Sequence, residues 1–539
     1  MKTRSLYRIS ASLVSGWTIV SAADPAERIE DLYKEELAPF YHGVASGDPL
    51  PDGIILWTRV TQQPKARMDS IPVNWWIATD SALQSVVASG TTAATRERDF
   101  TVKVDARGLQ PGQTYYYAFQ SLDRMSQVGR TKTAPDQQVD RLKFAVVTCA
   151  NYEWGYFSGY RKIAERTDLD ALIHVGDYLY EYPDNDSYSS AKIRDERVLF
   201  PKRETVKLSH YRQRYATYHL DPNLQRAHRQ HPFIVIWDDH EFANNAWKGG
   251  AENHQRDKEG SWRERKKAAK QAYFEWMPIR TRGGKISRTL RYGPLMDLFM
   301  IDARVEGRDK QIDDVENPRL YDSERTMLGE KQKAWLKNEL ETSTATWKVI
   351  GNQVIFSEFN IGFADPIIPA PILESQFLDI WDGYPAERRQ LMKFIERKNI
   401  NNTVFLSGDI HASFAFEVAT PNDRPYKPKT GEGAVAVEFV TPSLSAANFD
   451  EEIGDLVSDE IESRINKRDD DGDNPNPHMK FADLDRHGYM LLSVTPQKVQ
   501  GDFYYLKSVL KSKTTESWGG GYISKAGTHR LRKAKNPAP

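Results

Sequence analysis

Residues 171–181 read ALIHVGDYLYE, an apolar run that passes directly into glycine, aspartate and tyrosine. A short apolar run bounded by a turn signal is typical of a fully buried β-strand. Gly176 gives the backbone conformational freedom where the run ends, and Asp177 follows it immediately. The segment therefore predicts an interior strand whose carboxyl end carries a ligand-type side chain.

Other segments repeat this order of a strand followed by polar side chains. They are FAVVTC at residues 144–149, FIVIWDDHE at 233–241 and TVFLSGDIH at 403–411. Strands alternate with helical segments in this part of the chain, which is typical of a layered α/β domain. Because ligands of open α/β sheets bind outside the carboxyl ends of the strands, we expect the polar side chains to converge there. The expected set is Cys149, Asp177, Tyr180, Asp239, His240, Asp409 and His411.

This set of side chains has the chemistry of a metal site. Buried carboxylates without a cation repel one another and lose their hydration, and a bound cation reverses both penalties. Each segment alone has a simpler interpretation: Gly-Asp is a common turn, Asp-Asp-His-Glu suits a helix start, and His174 suits a core. Their occurrence in order, each behind a strand, favours a metal centre.

Composition excludes some classes of protein and indicates export. Lys plus Arg number 74 and Asp plus Glu 75, so there is no chain-wide basic field for nucleic acid. The only cysteine is Cys149, which excludes an intramolecular disulfide. Basic residues, an apolar stretch and Ser21-Ala22-Ala23 predict a signal peptide at residues 1–22, hence a secreted or periplasmic protein. The alternative for this leader is an exposed tail, and no later run is long enough to span a membrane.

At 539 residues the chain is long enough for two or more domains. Short strand-like runs separated by turn signals predict an all-β sandwich of the immunoglobulin or fibronectin type at residues 40–135. The α/β pattern predicts a catalytic domain at residues 141–510. Residues 511–539 are basic and end in proline, and we expect a disordered tail there.

The motifs resemble those of the PhoD-like alkaline phosphatases, within the calcineurin-like metallophosphoesterase superfamily. The catalytic part of the similarity lies in GDYLYE at 176–181, WDDHE at 237–241, WDGY at 381–384 and SGDIH at 407–411. The N-terminal part lies in YHGVASGDP at 41–49. The resemblance covers most of the chain and implies a four-layered α/β/β/α metallophosphoesterase domain preceded by an all-β domain. The leader lacks the twin arginine of many relatives.

The resemblance also implies a set of metals and the residues that hold them. A ferric ion and one or two calcium ions are implied, with other divalent metals as an alternative. The implied ligands are Cys149, Asp177, Tyr180 and His411 for iron, and Asp177, Asp239 and Asp409 for calcium. A trivalent ion stabilises phenolate and thiolate, and calcium prefers oxygen ligands, so the chemistry is consistent. His240 is expected beside the phosphate, and Asn352 is a weaker candidate for the catalytic site.

The expected reaction is hydrolysis of small-molecule phosphomonoesters, and also of diesters, by in-line attack of a metal-bound hydroxide. One alternative is a phosphodiesterase or phospholipase D-like enzyme on the same scaffold. Another is a non-catalytic extracellular protein whose metal is structural, with every coordination position closed by protein ligands. Residues 183–232 and 357–385 are expected around the mouth of the site, where they would set substrate choice.

Overall fold

Three β-sheets, of 10, 7 and 5 strands, organise the computed structural model of the chain. The structure describes residues 26–62, 68–186, 188–190, 192–193, 196–280, 283–364, 377–421, 425–467 and 474–539. The predicted signal peptide at residues 1–22 lies outside the described residues. Within the described ranges, no helix has the length and apolar character needed to cross a membrane.

The N-terminal region is built of strands and short 3-10 turns. Its strands are β1 (Val44–Leu50), β2 (Gly53–Arg59), β3 (Ser70–Ala78), β4 (Val86–Thr95), β5 (Thr101–Arg107), β6 (Thr114–Ser121), β7 (Arg124–Met125) and β8 (Gly129–Lys132).

The rest of the chain alternates strands with helices. Its strands are β9 (Leu142–Val147), β10 (Ala171–His174), β11 (Pro232–Val235), β12 (Arg288–Tyr292), β13 (Met296–Met300), β14 (Trp347–Gly351), β15 (Thr403–Ser407), β16 (Ser413–Val418), β17 (Ala436–Val440), β18 (Met479–Asp483), β19 (Gly488–Val494), β20 (Lys498–Leu506), β21 (Glu516–Lys525) and β22 (Leu531–Lys533). Its helices are Ser158–Ala164, Leu208–His219, Pro222–Gln230, Arg256–Glu259, Trp262–Trp276, Gly329–Thr342, Pro385–Arg397, Phe449–Ile453 and Asp455–Ile465.

The interior strands predicted from apolar runs are all present, but they belong to two sheets. The larger sheet has the order β22-β21-β20-β19-β9-β10-β11-β1-β2-β5, and the second has β12-β13-β14-β15-β17-β16-β18. Neighbouring strands β9, β10 and β11 are parallel, as are β13, β14, β15 and β17. Every residue of β9, β10 and β11 is buried, which explains why these strands have continuous apolar runs. The expected polar side chains therefore follow strands of two sheets, and not of one.

Two hydrophobic cores flank the seven-stranded sheet. One contains side chains of both large sheets, such as Val146 and Leu491 from the ten-stranded sheet and Val404 and Phe439 from the seven-stranded sheet. The other combines Phe405 of the seven-stranded sheet with side chains of helices Gly329–Thr342, Pro385–Arg397 and Asp455–Ile465. Both sheets are therefore fixed by packing close to the strand ends that carry the polar residues.

The N-terminal strands form a sandwich that shares a sheet with the remainder of the chain. Strands β1, β2 and β5 extend the ten-stranded sheet, and β1 pairs in parallel with β11 through Ser46 and Pro232. A separate core joins them to the five-stranded sheet, with Leu56 and Val102 packed with Val73 and Tyr117. The backbone hydrogen bonds of the sheet thus continue across the predicted boundary between the two domains.

The prediction of a disordered C-terminal tail at residues 511–539 is wrong. Strand β21 pairs with β20 along its whole length, and β22 pairs with β21. A Cβ atom at Gly519 would lie 2.1 Å from the Tyr505 ring, so this glycine lets the two strands approach closely. The segment covers an edge of the ten-stranded sheet, which satisfies backbone groups that would otherwise be unpaired.

Candidate metal centre

The predicted ligands meet where the carboxyl ends of strands from the two large sheets come together. Cys149, Asp177 and Asp239 follow β9, β10 and β11, whereas Asp409 and His411 follow β15. Three overlapping groups place their ligand atoms within 4.8 Å of one another. The groups are Cys149, Asp177 and His411; Asp177, Asp239 and His240; and Asp177, Asp238, Asp239 and Asp409. Asp177 belongs to every group, so it is the centre of the cluster.

One side of the cluster combines sulfur, phenol, imidazole and carboxylate. Asp177 Oδ2 lies 3.4 Å from Cys149 Sγ and 3.4 Å from the Tyr180 hydroxyl. The Tyr180 hydroxyl lies 3.2 Å from His411 Nε2. His411 Nδ1 is 2.6 Å from the carbonyl oxygen of Ala447, and donation to that oxygen leaves the Nε2 lone pair directed at the cluster. This is the tautomer that a metal-binding histidine needs.

The backbone at the candidate ligands adopts a conformation that is unusual for residues with side chains. The φ angles are 53° at Cys149, 54° at Asp177, 70° at Asp409 and 57° at His411. Such left-handed conformations cost free energy in non-glycine residues and cluster at functional sites. The surrounding structure therefore holds these side chains in place at the expense of local backbone stability.

A buried glutamate joins two of the ligand loops. Glu241 accepts hydrogen bonds from the backbone N–H groups of Asp177 at 3.1 Å, Tyr178 at 2.6 Å and Asp238 at 2.7 Å. A Cβ atom at Gly176 would lie 2.4 Å from Asp238 Cβ, so only glycine allows this close approach. Glu241 is therefore positioned to fix the loop after β10 against the loop after β11.

Arg304 brings a positive charge to the carboxylates. Its guanidinium is fully buried and donates to Asp238 and Asp409, and it lies 2.8 Å from Asp379 and 3.7 Å from Asp239. One cation thus faces four carboxylates, which leaves net negative charge in a buried position. Additional cations would compensate that charge.

Burial raises the pKa values of the acidic groups in the cluster and so disfavours their ionised forms. Burial raises the pKa of the Asp177 carboxyl well above its usual value, with His240 opposing this rise and neighbouring carboxylates adding to it. Burial likewise raises the pKa of Cys149, Tyr180 and Asp409. A bound cation lowers such pKa values because it stabilises the anionic forms. The donor set therefore fits a metal centre, and the buried Asp177 Oδ1 has no hydrogen-bond partner among the residues that the structure describes.

His240 has the opposite shift. Burial lowers the pKa of this imidazole, but Glu181, Asp177 and Asp239 outweigh burial and raise the pKa well above its usual value. His240 Nδ1 lies 2.7 Å from Glu181 Oε2, and Glu181 is completely buried. The ring also lies 4.3 Å from the Tyr180 ring, centroid to centroid. His240 is therefore held in one orientation by Glu181, and the carboxylates around it favour its protonated form.

A cavity of about 260 Å³ opens over the cluster. Its polar side is formed by Asp177, Asp239, His240, Asp379, Asp409 and His411. Its apolar side is formed by Phe377, Ile410, Ala447, Phe449 and Ile453. The expected mouth segments contribute Tyr188 from residues 183–232 and Phe377 from residues 357–385, but the stretch at 447–453 was not expected from the sequence.

The structure does not bring Asn352 to this cavity. Its side-chain amide donates to Ser407 Oγ at 3.1 Å and to the carbonyl oxygen of Val354, and its Oδ1 lies 3.4 Å from Trp381 Nε1. These contacts engage the amide within the fully buried end of β14. Asn352 is therefore not among the described residues that line the cavity, and its amide contacts the serine two residues before Asp409.

Sequence reasoning missed the groups that support the ligands. Arg304 follows strand β13 in the segment MDLFMIDAR at 296–304, so the strand-then-polar pattern could have identified it. Glu181 and Glu241 belong to the motifs but were not distinguished from their neighbours. Asp379 carried no local signal, since it lies in no strand-and-loop pattern.

A centre of carboxylates, imidazoles, a phenol and a thiol at strand ends defines a metal-binding hydrolase. Two family models match the chain: "PhoD-like phosphatase, N-terminal domain" over residues 26–135 and "PhoD-like phosphatase" over residues 144–503. Alkaline phosphatase D of Bacillus subtilis (strain 168) is 34% identical over 515 residues, which cover 92% of this chain and 83% of that protein. A solved structure of PhoD covers 94% of each chain, with 33% identity and a TM-score of 0.80.

The chain therefore belongs to the PhoD-like phosphatase family, and it is a phosphoric ester hydrolase. The family resemblance and the class of reaction predicted from the motifs are both confirmed. The sheets of the chain match those of PhoD, and metal binding is consistent with the clustered ligand groups.

Proposed function

We propose that the protein hydrolyses phosphate monoesters, and also diesters, at a centre that binds one ferric ion and one or two calcium ions. The observation that carries this proposal is the set of three ligand groups that share Asp177, whose buried Oδ1 accepts no hydrogen bond from the described part of the chain. A second carboxylate oxygen left free in this way is what a bridging ligand requires. The alkaline phosphatase activity named for the Bacillus subtilis relative supports the choice of substrate class.

The ligand assignments follow the chemistry of the donors. Cys149, Tyr180 and His411 would hold iron together with Asp177, because a trivalent ion strongly stabilises the anionic thiolate, phenolate and carboxylate forms of such donors. Asp239 and Asp409 would hold calcium with Asp177, since calcium prefers oxygen ligands. When bound, the metal ions supply positive charge for the phosphoryl oxygens and lower the pKa of the attacking water.

The protein's own groups then orient the ester and move a proton. His240 donates from Nδ1 to Glu181, and no hydrogen bond among the described residues engages its Nε2. In the proposed step the attacking water first gives one proton to bulk solvent, and its oxygen forms the new P–O bond as hydroxide while the P–O bond to the alcohol breaks. The departing alcohol oxygen takes the proton of His240 Nε2. Arg304 pairs with Asp409 and lies 3.7 Å from Asp239, so it would hold both carboxylates beside the proposed metal sites.

The finer architecture and the location are also proposals. We infer the layer order α/β/β/α for residues 141–510, because one core contains side chains of both large sheets and the other joins a sheet to helices. We infer export from the basic and apolar residues of the leader at 1–22. The proposed all-β sandwich at residues 40–135 lies within the region matched by the N-terminal family model, residues 26–135.

Elemental analysis with paired substrates tests the proposal. The purified protein should contain iron and calcium and absorb visible light, because phenolate and thiolate bound to ferric iron are coloured. It should release p-nitrophenol from p-nitrophenyl phosphate and bis-p-nitrophenyl phosphate. A colourless, iron-free preparation with full activity would contradict the iron assignment. A metal-loaded protein inactive on both esters would contradict the proposed substrate class and favour a structural metal site.

A further inference from the structure

We propose that the apolar side of the cavity binds the leaving alcohol, and that the protein selects phosphate esters of apolar alcohols without negative charge. This inference rests on the proposed function, because it assumes that the phosphoryl group occupies the polar side. The apolar side consists of Phe377, Ile410, Ala447, Phe449 and Ile453. Among the described lining residues, these are the ones that offer an apolar contact to the organic group of an ester whose phosphoryl group lies at the carboxylates.

The aromatic part of this surface is preorganised. The rings of Phe377 and Phe449 are parallel within 7°, with centroids 6.2 Å apart. Phe377 also meets Phe359 edge to face at 6.1 Å, which fixes the ring from behind. A rigid aromatic surface binds apolar groups with little loss of side-chain entropy, because its rings are already ordered before binding.

The helix that carries Phe449 and Ile453 is fastened to the catalytic loops. Glu451 accepts hydrogen bonds from Trp154 Nε1 at 2.8 Å and from the backbone N–H of Asn448 at 3.1 Å, and lies 3.1 Å from His487 Nε2. Ala447, two residues before Phe449, accepts the hydrogen bond of His411 Nδ1 at 2.6 Å. The segment that carries the apolar surface is thus connected by one hydrogen bond to a proposed metal ligand.

The charge of the cavity favours a leaving group without negative charge. None of the described residues that line the cavity is lysine or arginine. The nearby cation, Arg304, is fully buried and engaged by carboxylates. Glu452 is exposed and lines the cavity, so it adds a negative charge at the mouth. A nucleotide or polyphosphate leaving group would have no cation to pair with and would be repelled by Glu452.

Truncation of the aromatic surface tests the apolar contact. Phe449→Ala should raise the KM for p-nitrophenyl phosphate about tenfold with kcat little changed, because a hydrophobic contact contributes similarly to substrate and transition state. The KM for methyl phosphate should not change. The matched control is Leu456→Ala, since Leu456 is 87% exposed on the next helix and outside the cavity. Equal changes for both esters would overturn the apolar contact.

Reversing the charge of Glu452 at the mouth of the cavity tests whether this residue disfavours negatively charged leaving groups. Phenyl phosphates that carry hydrogen, carboxylate or trimethylammonium at the meta position differ chiefly in charge. Glu452→Lys should shift kcat/KM toward the carboxylate ester and away from the trimethylammonium ester by roughly fivefold. Comparing the same esters in both proteins cancels their intrinsic reactivities. The control is Asp459→Lys, at an exposed position outside the cavity.

The outcomes separate this inference from the proposed function. If the metal-loaded protein hydrolyses none of these esters, the proposed function fails. If it hydrolyses them but Phe449→Ala and Glu452→Lys change every ester alike, the function stands and the leaving-group surface is wrong. Ester-selective changes absent from both controls support the inference.

Discussion

Each of the two large sheets has a buried glutamate near the metal centre, but the two glutamates accept hydrogen bonds from different parts of the structure. Glu241, on the side of the ten-stranded sheet, accepts N–H groups of Asp177, Tyr178 and Asp238 and so contacts the ligand loops directly. Glu438, in the seven-stranded sheet, accepts the N–H groups of residues 356 and 357 and the Ser407 hydroxyl. One carboxylate orients ligands, and the other supports the strand beneath them.

This difference indicates where metal affinity and where charge balance originate. The ten-stranded side supplies Cys149, Asp177 and Asp239 on loops that Glu241 holds together. The seven-stranded side supplies Asp409 and His411, and with them Arg304. On the ten-stranded side, the position of the ligand loops depends on backbone N–H groups that donate to Glu241. On the seven-stranded side, Arg304 supplies the positive charge that partly compensates the carboxylates.

The largest effect is expected at the residue that both sides share. Asp177→Asn removes a negative charge from all three ligand groups, so turnover should fall by roughly three orders of magnitude, equivalent to several kcal/mol of metal stabilisation. The measurements are kcat with p-nitrophenyl phosphate and the metal content. Asp52→Asn, at an exposed position, is the control. A variant that keeps its metals and its turnover would show that Asp177 is not the shared ligand.

His240→Ala distinguishes a proton donor from a ligand on the ten-stranded side. Turnover should fall by roughly 10²–10³-fold because the leaving oxygen loses its acid, while the metal content stays unchanged. The metal is measured in the same preparation as kcat. Loss of metal in parallel with activity would instead make His240 a ligand, as its proximity to Asp177 and Asp239 allows.

The two glutamates can be compared directly. Glu241→Gln places an amide N–H where a backbone N–H now donates, so the ligand loops shift and metal affinity should fall by roughly 10–100-fold. Excess metal in the assay should restore kcat. Glu438→Gln is the matched control: it should lower the melting temperature but leave metal affinity unchanged, because Glu438 accepts no N–H from a ligand. Equal loss of metal affinity in both variants would show that Glu241 and Glu438 do not differ in how they support the ligands.

The smallest effect concerns the loop that carries Tyr188 at the mouth. Burial, together with a hydrogen bond to Asp184, raises the pKa of Glu153 from 4.5 to about 8. The folded protein then binds more protons than the unfolded chain between these values, so this group's stabilising contribution is lost as pH rises from about 4.5 to about 8. Glu153→Gln should remove that loss.

The expected gain of Glu153→Gln over the parent is roughly 1–3 kcal/mol in the free energy of unfolding near pH 9, and little near pH 4. Thermal melts of both proteins at the two pH values measure the difference, which cancels the titration of all other groups. A stability difference that is independent of pH would contradict the raised pKa. A gain confined to high pH would support a protonated Glu153 carboxyl in the folded protein, where Glu153 Oε1 accepts the backbone N–H of Asn185 in the mouth loop at 3.2 Å.

Much of the fold and of the site could be predicted because the signals are local. Strands β9, β10, β11 and β15 were predicted from continuous apolar runs, since a strand buried on both faces needs such a run. Asp177 and Asp409 were predicted because each directly follows a glycine at the end of a strand. Asn352 follows a strand in the same way, yet its amide is engaged by Ser407. The pattern alone could not distinguish these outcomes.

The sequence by itself determined which side chains stand at the ends of buried strands, because backbone hydrogen bonding and burial restrict those positions to a recognisable pattern. Only the tertiary structure decided which strands belong to which of the two sheets, that Arg304 reaches four carboxylates, and that residues 447–453 face the ligands across a cavity. It also decided that the C-terminal segment completes a sheet. These arrangements depend on contacts between residues far apart in the chain, and such contacts cannot be recognised from a short stretch of sequence.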